Sequence, residues 1–427
     1  MKDLIISYYR NFKKSDFSIS VFKLFTGTAT GQLIAVALAP VLYRLYEPES
    51  FGVFALFVAT SSILGTFSTF QYLQLVLLEK KNEYAINALW LCRLINILFS
   101  SLIFFLILFF SPFIETFITN KILTKWLWLL PLIIFLNGQN EIFCIWANRC
   151  KEYNILVING IIIAVVTPLV SISLAYILSD ETGLFLGLML GQITSLLVLT
   201  FKLKGKYNFS IKNLNFQTIK TLVTENKKFP LFLMPTEIIN RINNHLPIFL
   251  INKFFGTSAV GFYSLSIKIL EIPLRFIGNA IGSVFKQRAS QDYNQLGTCK
   301  KVFLKTSLTL LLISAFPVIT IGVFAPEIFE FIFGNKWISA GVYSQLLIPM
   351  IFFKLIVSPV SYVFYIYKKL KEDFIIHVYM LISSWLILSF FYSKGDLESG
   401  ILFFALNYSA IYIYTWIRSY RFTLIKI

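Results

Sequence analysis

The chain has 427 residues, enough for two or three soluble domains, yet hydrophobic residues make up 57% of it and charged residues only 14%. A soluble domain carries about 25% charged residues, so the supply here cannot cover a water-facing surface. The 45 Phe and 21 Tyr suit lipid-facing helices with aromatic ends, and the net charge of +17 is assigned to basic cytoplasmic loops, not to a nucleic-acid partner.

The composition is that of an all-α integral membrane protein. Cys92, Cys144, Cys150 and Cys299 are scattered without CxxC or metal-ligand spacing, so free thiols are expected. The opening residues carry Asp3, Lys13, Lys14 and Asp16 and lack a short apolar core, which excludes a cleavable signal peptide there.

A spanning helix needs about 20 apolar residues. Twelve segments meet this: 22–43, 51–77, 84–110, 124–146, 155–178, 183–203, 229–252, 259–284, 302–324, 337–366, 374–392 and 397–417. The longest, 337–366, contains Pro349 and Pro359 and is expected to kink. Lys and Arg concentrate in every second connection. One set holds Lys80 and Lys81, Arg149 and Lys151, the run from Lys202 to Lys228, Lys286 to Lys301, and Lys368 to Lys371. The alternate connections hold little more than Arg44, Lys121, Lys125, Lys253, Lys336 and Lys394. Cytoplasmic loops carry the excess of cations, so both termini are expected in the cytoplasm.

The stretch 204–227 is the one long polar connection and divides the segments six and six, giving bundles 1–203 and 228–427 around a basic cytoplasmic linker. A faint repeat crosses it at an offset of 209 residues: Ser50-Phe51-Gly52-Val53-Phe54 matches Ala259-Val260-Gly261-Phe262-Tyr263, and Arg44 matches Lys253. With an even number of spans per half, the repeats point the same way, related by a pseudo-two-fold along the membrane normal around a central cavity.

The run Gly27-Thr28-Ala29-Thr30-Gly31-Gln32-Leu33, followed by Ala39-Pro40-Val41-Leu42-Tyr43-Arg44-Leu45-Tyr46-Glu47-Pro48-Glu49-Ser50-Phe51-Gly52, resembles the opening of Wzx-type polysaccharide flippases. These belong to the multidrug/oligosaccharidyl-lipid/polysaccharide exporter superfamily. The detailed likeness covers roughly residues 24–90. One departure is Gln71-Tyr72-Leu73, where the family often has Arg-Tyr-Glu, so no role of that charge pair carries over. The resemblance implies a bacterial inner-membrane protein moving an undecaprenyl-diphosphate-linked oligosaccharide to the outer leaflet for surface polysaccharide (O-antigen, capsule or exopolysaccharide) assembly. Membrane lipids, a polysaccharide polymerase and chain-length machinery are the partners it implies.

Five cations, Arg93, Arg241, Lys268, Arg275 and Lys354, lie deep within the segments with three acids, Glu141, Glu237 and Glu271. A charge at the bilayer centre costs about 3 kcal/mol on insertion scales, so these groups must face one another or water. Glu237, Asn240, Arg241 and Asn244 fall on one helix face, as do Lys268, Glu271 and Arg275, with Asn279 and Gly282 continuing the stripe. Asn137, Asn140, Glu141, Cys144 and Asn148 repeat the pattern in the fourth segment, and Thr28 and Gln32 occupy the repeat positions of Glu237 and Arg241. Polar stripes in both halves imply an aqueous cavity, and the surplus of positive charge suits an anionic substrate.

Simpler readings stand beside these. Glu237–Arg241 and Glu271–Arg275 have the spacing of intrahelical pairs that merely neutralise each other, whereas Arg93 and Lys354 have no acid nearby in sequence. His245 and His377 are read as satisfied polar residues rather than a proton relay. Gly27-xxx-Gly31, the series Gly183, Gly187, Gly191, and Gly278-xxx-Gly282 are read as helix-packing sites.

No Walker A motif is present, no cofactor is expected, and coupling to a proton or sodium gradient is left open. Two alternatives are an ion-coupled exporter of another substrate, disfavoured for cationic drugs by the positive cavity, and a membrane glycosyltransferase or polymerase. Glu47-x-Glu49 superficially resembles an acidic metal-binding pair, but the outer connections are too short for an acceptor site. Topology is directly testable: cysteine reporters at Asn215 and Thr298 should label from the cytoplasm and one at Glu181 from outside. Reversed labelling would overturn the orientation.

Overall fold

The computed structural model describes residues 16–117, 121–178, 180–206 and 214–424. Hydrocarbon offers the backbone no hydrogen-bond partner, so apolar runs of this length resolve into helices that satisfy their own peptide groups. Helices cover each of the twelve expected segments, and among the described residues nine are long and apolar enough to cross a membrane. By contact the chain forms two compact units, one of residues 1–46 with 57–238 and the other of 47–56 with 239–427.

The first unit contains α1 (Asp16–Leu45), the greater part of α2 (Pro48–Gly65), α3 (Leu73–Leu78), α4 (Asn82–Phe117), α5 (Lys121–Leu127), α6 (Leu130–Arg149), α7 (Tyr153–Leu178), α8 (Thr182–Lys204) and α9 (Phe216–Glu225). The expected glycine contacts are made here. A Cβ on Gly27 would overlap Val157, and one on Gly183, Gly187 or Gly191 would overlap Tyr46, Ser171 or Thr167, so α7 packs closely on α1 and α8. Burial near Asp180 pushes the Tyr46 phenol up to about 12, and it donates to Ser171 O at 2.6 Å.

Two features of this unit escape a reading by hydropathy. The second apolar segment breaks after Gly65 into a 3-10 turn, and Phe70 and Gln71 adopt φ of 46° and 61° before α3 begins. Arg149 fixes the far side of that break, donating from Nη1 to Val76 O at 2.8 Å and to Glu79 O at 2.6 Å. The basic linker, in turn, is no simple tether. Within it, α9 is capped by Asn215, buries Ile219 and Leu222 in the core with Leu89, Phe143 and Leu203, and is tied to α4 by the Asn215 N–H, which donates to Asn87 Oδ1 at 2.8 Å.

The second unit contains residues 47–56 of α2, most of α10 (Met234–Pro273), α11 (Asn279–Leu296), α12 (Lys300–Phe333), α13 (Ile338–Val360), α14 (Val363–Ile366), α15 (Leu370–Ser393) and α16 (Leu397–Leu424). The expected seventh and eighth segments run together as α10, joined at Gly256, whose φ of 82° a side-chain-bearing residue rarely adopts. A π-helical segment, Leu274–Gly278, then leads into α11. The side chain of Asn279 lies outside the described residues, and Gly282 faces the same helix as Glu271. Gly278 and Gly282 lie against Leu355 and Pro359 of α13. In the repeat register Leu274–Gly278 corresponds to 65–69, so both halves leave α-helical geometry at the same place.

The faint repeat has a physical counterpart inside this unit. A Cβ on Gly52 would overlap Thr257 O, and a Cβ on Gly261 would overlap Pro48 O. Gly52 and Gly261 are equivalent in the repeat, as are Pro48 and Thr257, so each glycine meets the other's partner. That reciprocity is the mark of a two-fold contact. Glu47 pairs with Lys336 at 3.0 Å, Thr257 Oγ1 donates to Glu49 at 3.3 Å, and Phe51 and Phe262 both set an edge against the buried Trp337. Glu47 and Glu49 are both exposed, and each makes one of these polar contacts.

Gly52→Ala and Gly261→Ala should each lower the thermal midpoint of the purified protein, by the equivalent of about 1–3 kcal/mol for overpacking. Gly65→Ala, where an added Cβ meets nothing within 4 Å, should not lower it.

Candidate functional site

In the first unit the polar side chains include a bonded set that joins helices and an open set that is exposed. The bonded set joins α4, α6, α7 and α8. Arg93 Nε donates to Gln139 Oε1 at 3.1 Å, Gln139 Nε2 to Asn96 Oδ1 at 2.8 Å, and Asn96 Nδ2 to Ile134 O at 3.3 Å. The Arg93 guanidinium also lies 4.6 Å from the Trp90 ring centre and 5.3 Å from that of Phe143. Asn140 Nδ2 donates to Gln192 Oε1 at 2.8 Å, the Ser195 hydroxyl donates to Asn140 Oδ1 at 2.8 Å and also meets Asn159 Oδ1, and Asn159 Nδ2 reaches Cys144 Sγ at 3.2 Å. Arg93 and Asn140, expected in the cavity, therefore bind helices together.

The open set is Asn137, Glu141 and Asn148, all exposed on α6. Most of that helix is buried in the unit, so its open face is largely polar. A helix within the membrane that buries its apolar side and opens a polar one must meet water there. Gln32 is half-buried, and the side chain of Thr28 lies outside the described residues.

In the second unit Arg241, Asn244 and Lys268 are exposed on α10 and Asn240 is half-buried; Glu237, also half-buried, precedes them on the same helix. Lys354, which has no acid near it in sequence, finds one across space: its Nζ lies 2.9 Å from Glu271 Oε1, joining α13 to α10. Glu271 thus has a partner beyond its own helix. The backbone of Arg275 lies in the π segment, and its side chain is outside the described residues.

Of the two histidines, His377 Nδ1 contacts Asp373 O at 2.9 Å, within its own helix. His245 departs from expectation, since its Nδ1 is buried with no hydrogen-bond partner among the described residues. It lies in the electrostatic field of Arg241 and Glu271. Tyr263 and Tyr412 lie in the field of Glu271, and Tyr408 in that of Lys354. These tyrosines, with Gln139, Gln192 and Ser195, were not legible as site residues because their partners lie on other helices. Among the described residues no group of three or more His, Cys, Asp or Glu could hold a metal ion. All four cysteines are free, and burial lifts the Cys299 thiol, which keeps it protonated.

Comparison with known proteins agrees with this architecture. The polysaccharide biosynthesis protein family matches residues 41–341. A putative O-antigen transporter of Shigella flexneri is 24% identical over 392 residues, covering 88% of this chain and 91% of that protein. The amylovoran biosynthesis protein AmsL of Erwinia amylovora is 22% identical over 114 residues, a stretch spanning 27% of this chain and 29% of AmsL. Among solved structures, the lipid II flippase MurJ in an inward closed conformation superposes with a TM-score of 0.75 at 14% identity, covering 93% of this chain and 87% of MurJ. The shared fold is that of a multi-helix membrane protein.

Gln139→Leu should destabilise the purified protein by about 1–3 kcal/mol, because Arg93 and Asn96 both lose a buried partner. Asn137→Leu, on the open face of the same helix, should leave the thermal midpoint in detergent within about 0.5 kcal/mol of the parent.

Proposed function

Because this chain belongs to the polysaccharide biosynthesis protein family, we propose that it is a Wzx-type flippase. It moves an undecaprenyl-diphosphate-linked oligosaccharide from the cytoplasmic to the outer leaflet of the inner membrane, for surface polysaccharide assembly. The observation that carries this reading is a set of exposed polar side chains on the helices: Asn137 and Glu141 in one unit, Arg241, Asn244 and Lys268 in the other. A sugar head and diphosphate need a wet, cationic route, while a prenyl tail is at home in hydrocarbon. Arginine suits phosphate because its planar fork donates two hydrogen bonds and stays charged.

In this reading Arg241, Arg275, Lys268 and Lys354 meet the diphosphate, and Arg93 contributes charge from within its bonded network. Gln32, Asn137, Asn240 and Asn244 serve the sugar hydroxyls. No covalent step is required of the protein, so it acts as a transporter and not as an enzyme. Alternating access by rocking bundles moves the head, driven by a proton or sodium gradient. A polymerase and chain-length machinery receive the product outside, and both termini stay in the cytoplasm.

Arg241→Ala and Arg275→Ala should each sharply reduce surface polysaccharide while the protein remains inserted at normal abundance. The Lys variants should retain partial export, because charge persists while bidentate geometry is lost. Normal export by both Ala variants at native expression would refute the diphosphate clamp, and loss of abundance in both would assign the arginines to structure.

A further inference from the structure

Arg93 is held on one side only. Its Nε donates to Gln139 at 3.1 Å, and its guanidinium lies against the Trp90 and Phe143 rings. A guanidinium carries five N–H donors. The four on its two terminal amino groups donate to no described residue, and among the described residues no carboxylate pairs with it. Gln139 is itself anchored through Asn96 to Ile134 O, so the fork is fixed in place while the side chain stays only half-buried. An arginine that merely ties helices spends those donors on carbonyls, as Arg149 does on Val76 O and Glu79 O.

The open fork stands at the head of a groove. Arg93, Ile97, Ser100 and Phe104 follow one another at helical spacing on α4, and α6 runs antiparallel beside them. Ile97, Ser100, Ser101, Phe104, Leu132 and Phe135 line a groove of about 400 Å³ between the two helices. Its walls are apolar apart from the two serines, and the Ser100 hydroxyl is buried with no hydrogen-bond partner among the described residues. From Tyr84 to Asn96 no side chain of α4 is exposed, and α9 packs on this stretch at Asn87 and Leu89. Exposure begins with Ile97 at 43% and Leu98 at 68%. Arg93 therefore stands one helical turn before the level at which α4 meets hydrocarbon, which is the level of lipid phosphates. At 3.6 residues per turn, Leu132 and Phe135 fall opposite Asn137, Glu141 and Asn148, so the groove lies on the other side of α6 from its polar face.

We propose that this groove holds one anionic phospholipid of the surrounding leaflet, its phosphate on the terminal amino groups of Arg93 and an acyl chain along Ile97, Phe104, Leu132 and Phe135. The planar fork donates to two phosphate oxygens at once, and the Trp90 and Phe143 rings shield the guanidinium from water. The charges match one to one, a single guanidinium for a single phosphate. A sugar head would need hydroxyl partners, whereas aromatic rings border this cation. A zwitterionic headgroup brings its own cation to the phosphate and gains less from Arg93. The arginine keeps its place in the bonded network, because the lipid uses only the donors that the network leaves over. Bound there, the lipid braces the seam between α4 and α6. The inference goes beyond the flippase reading and stands whatever cargo the protein carries.

The test uses the full-length protein, delipidated in detergent and titrated with dioleoylphosphatidylglycerol or dioleoylphosphatidylcholine, with bound lipids counted by native mass spectrometry. The first phosphatidylglycerol should bind wild type about tenfold tighter than the first phosphatidylcholine, as expected for a charge-assisted pair. Arg93→Met should abolish that preference, and Arg93→Lys should keep part of it, because charge persists without the fork. Ser101→Trp fills the groove from an exposed position outside the bonded network. It should lose the tight phosphatidylglycerol while its thermal midpoint in lipid-free detergent stays at the wild-type value. Equal binding of the two lipids by wild type, or an unchanged preference in Arg93→Met, overturns the proposal. Should Arg93→Met fold poorly, Ser101→Trp decides: loss of the preference supports the groove, and its retention overturns it. Displacement of phosphatidylglycerol by equimolar inorganic phosphate would reduce the site to an anion site, and displacement by equimolar farnesyl diphosphate would give the groove to a prenyl carrier. Either result overturns the assignment to a phospholipid.

Discussion

Hydrocarbon does not solvate a charge or an amide, and nearly every specific contact in this protein answers to that constraint. A charged side chain left in lipid costs about 3 kcal/mol even on the lenient insertion scale. The chain meets this in two ways. Arg93 is held by Gln139, Trp90 and Phe143, Asn140 by Gln192 and Ser195, and Lys354 by Glu271. Such contacts fix the rotation and depth of helices whose outer surfaces are otherwise interchangeable apolar side chains. Asn137, Glu141, Arg241, Asn244 and Lys268, by contrast, remain exposed and define where water must reach.

Close backbone approach supplies what polar bonding does not. Helices in lipid gain little from burying apolar surface against one another, so small residues that let backbones touch take over. The glycine contacts between α7 and α8 do this within the first unit. The reciprocal contact of Gly52 with Thr257 and Gly261 with Pro48 does it at the heart of the internal repeat. The chain passes from the first unit to the second after Tyr46, returns after Leu56 and passes again after Ile238, so α2 contributes to both units. Pro48 and Gly52, part of the run that carries the family resemblance, are therefore packing positions of the second unit.

The sequence revealed the helices well because lipid imposes their length and their apolar character. It revealed the repeat because glycine at Gly52 and Gly261 is demanded by a contact that admits no side chain. It was silent on the break at Phe70 and Gln71, the join at Gly256 and the π segment at Leu274–Gly278, because none of these changes hydropathy. Helical spacing located Arg241, Glu271 and Lys268 on α10. Spacing cannot see across helices, so it left Lys354 without its acid and missed Gln139 and Ser195 altogether. The helix within the polar linker was hidden for a similar reason, since Ile219 and Leu222 acquire meaning only against the core they enter.

The proposed route requires water to reach the exposed polar faces of α6 and α10. In protein lacking its native cysteines, single cysteines at Asn137, Glu141, Arg241, Asn244 and Lys268 should react with a small membrane-impermeant thiol reagent in intact or inverted vesicles. Cysteines at Phe105 and Leu312, which are exposed on lipid-facing helices, should react far more slowly. Labelling of the polar set no faster than that of Phe105 and Leu312 would contradict the account.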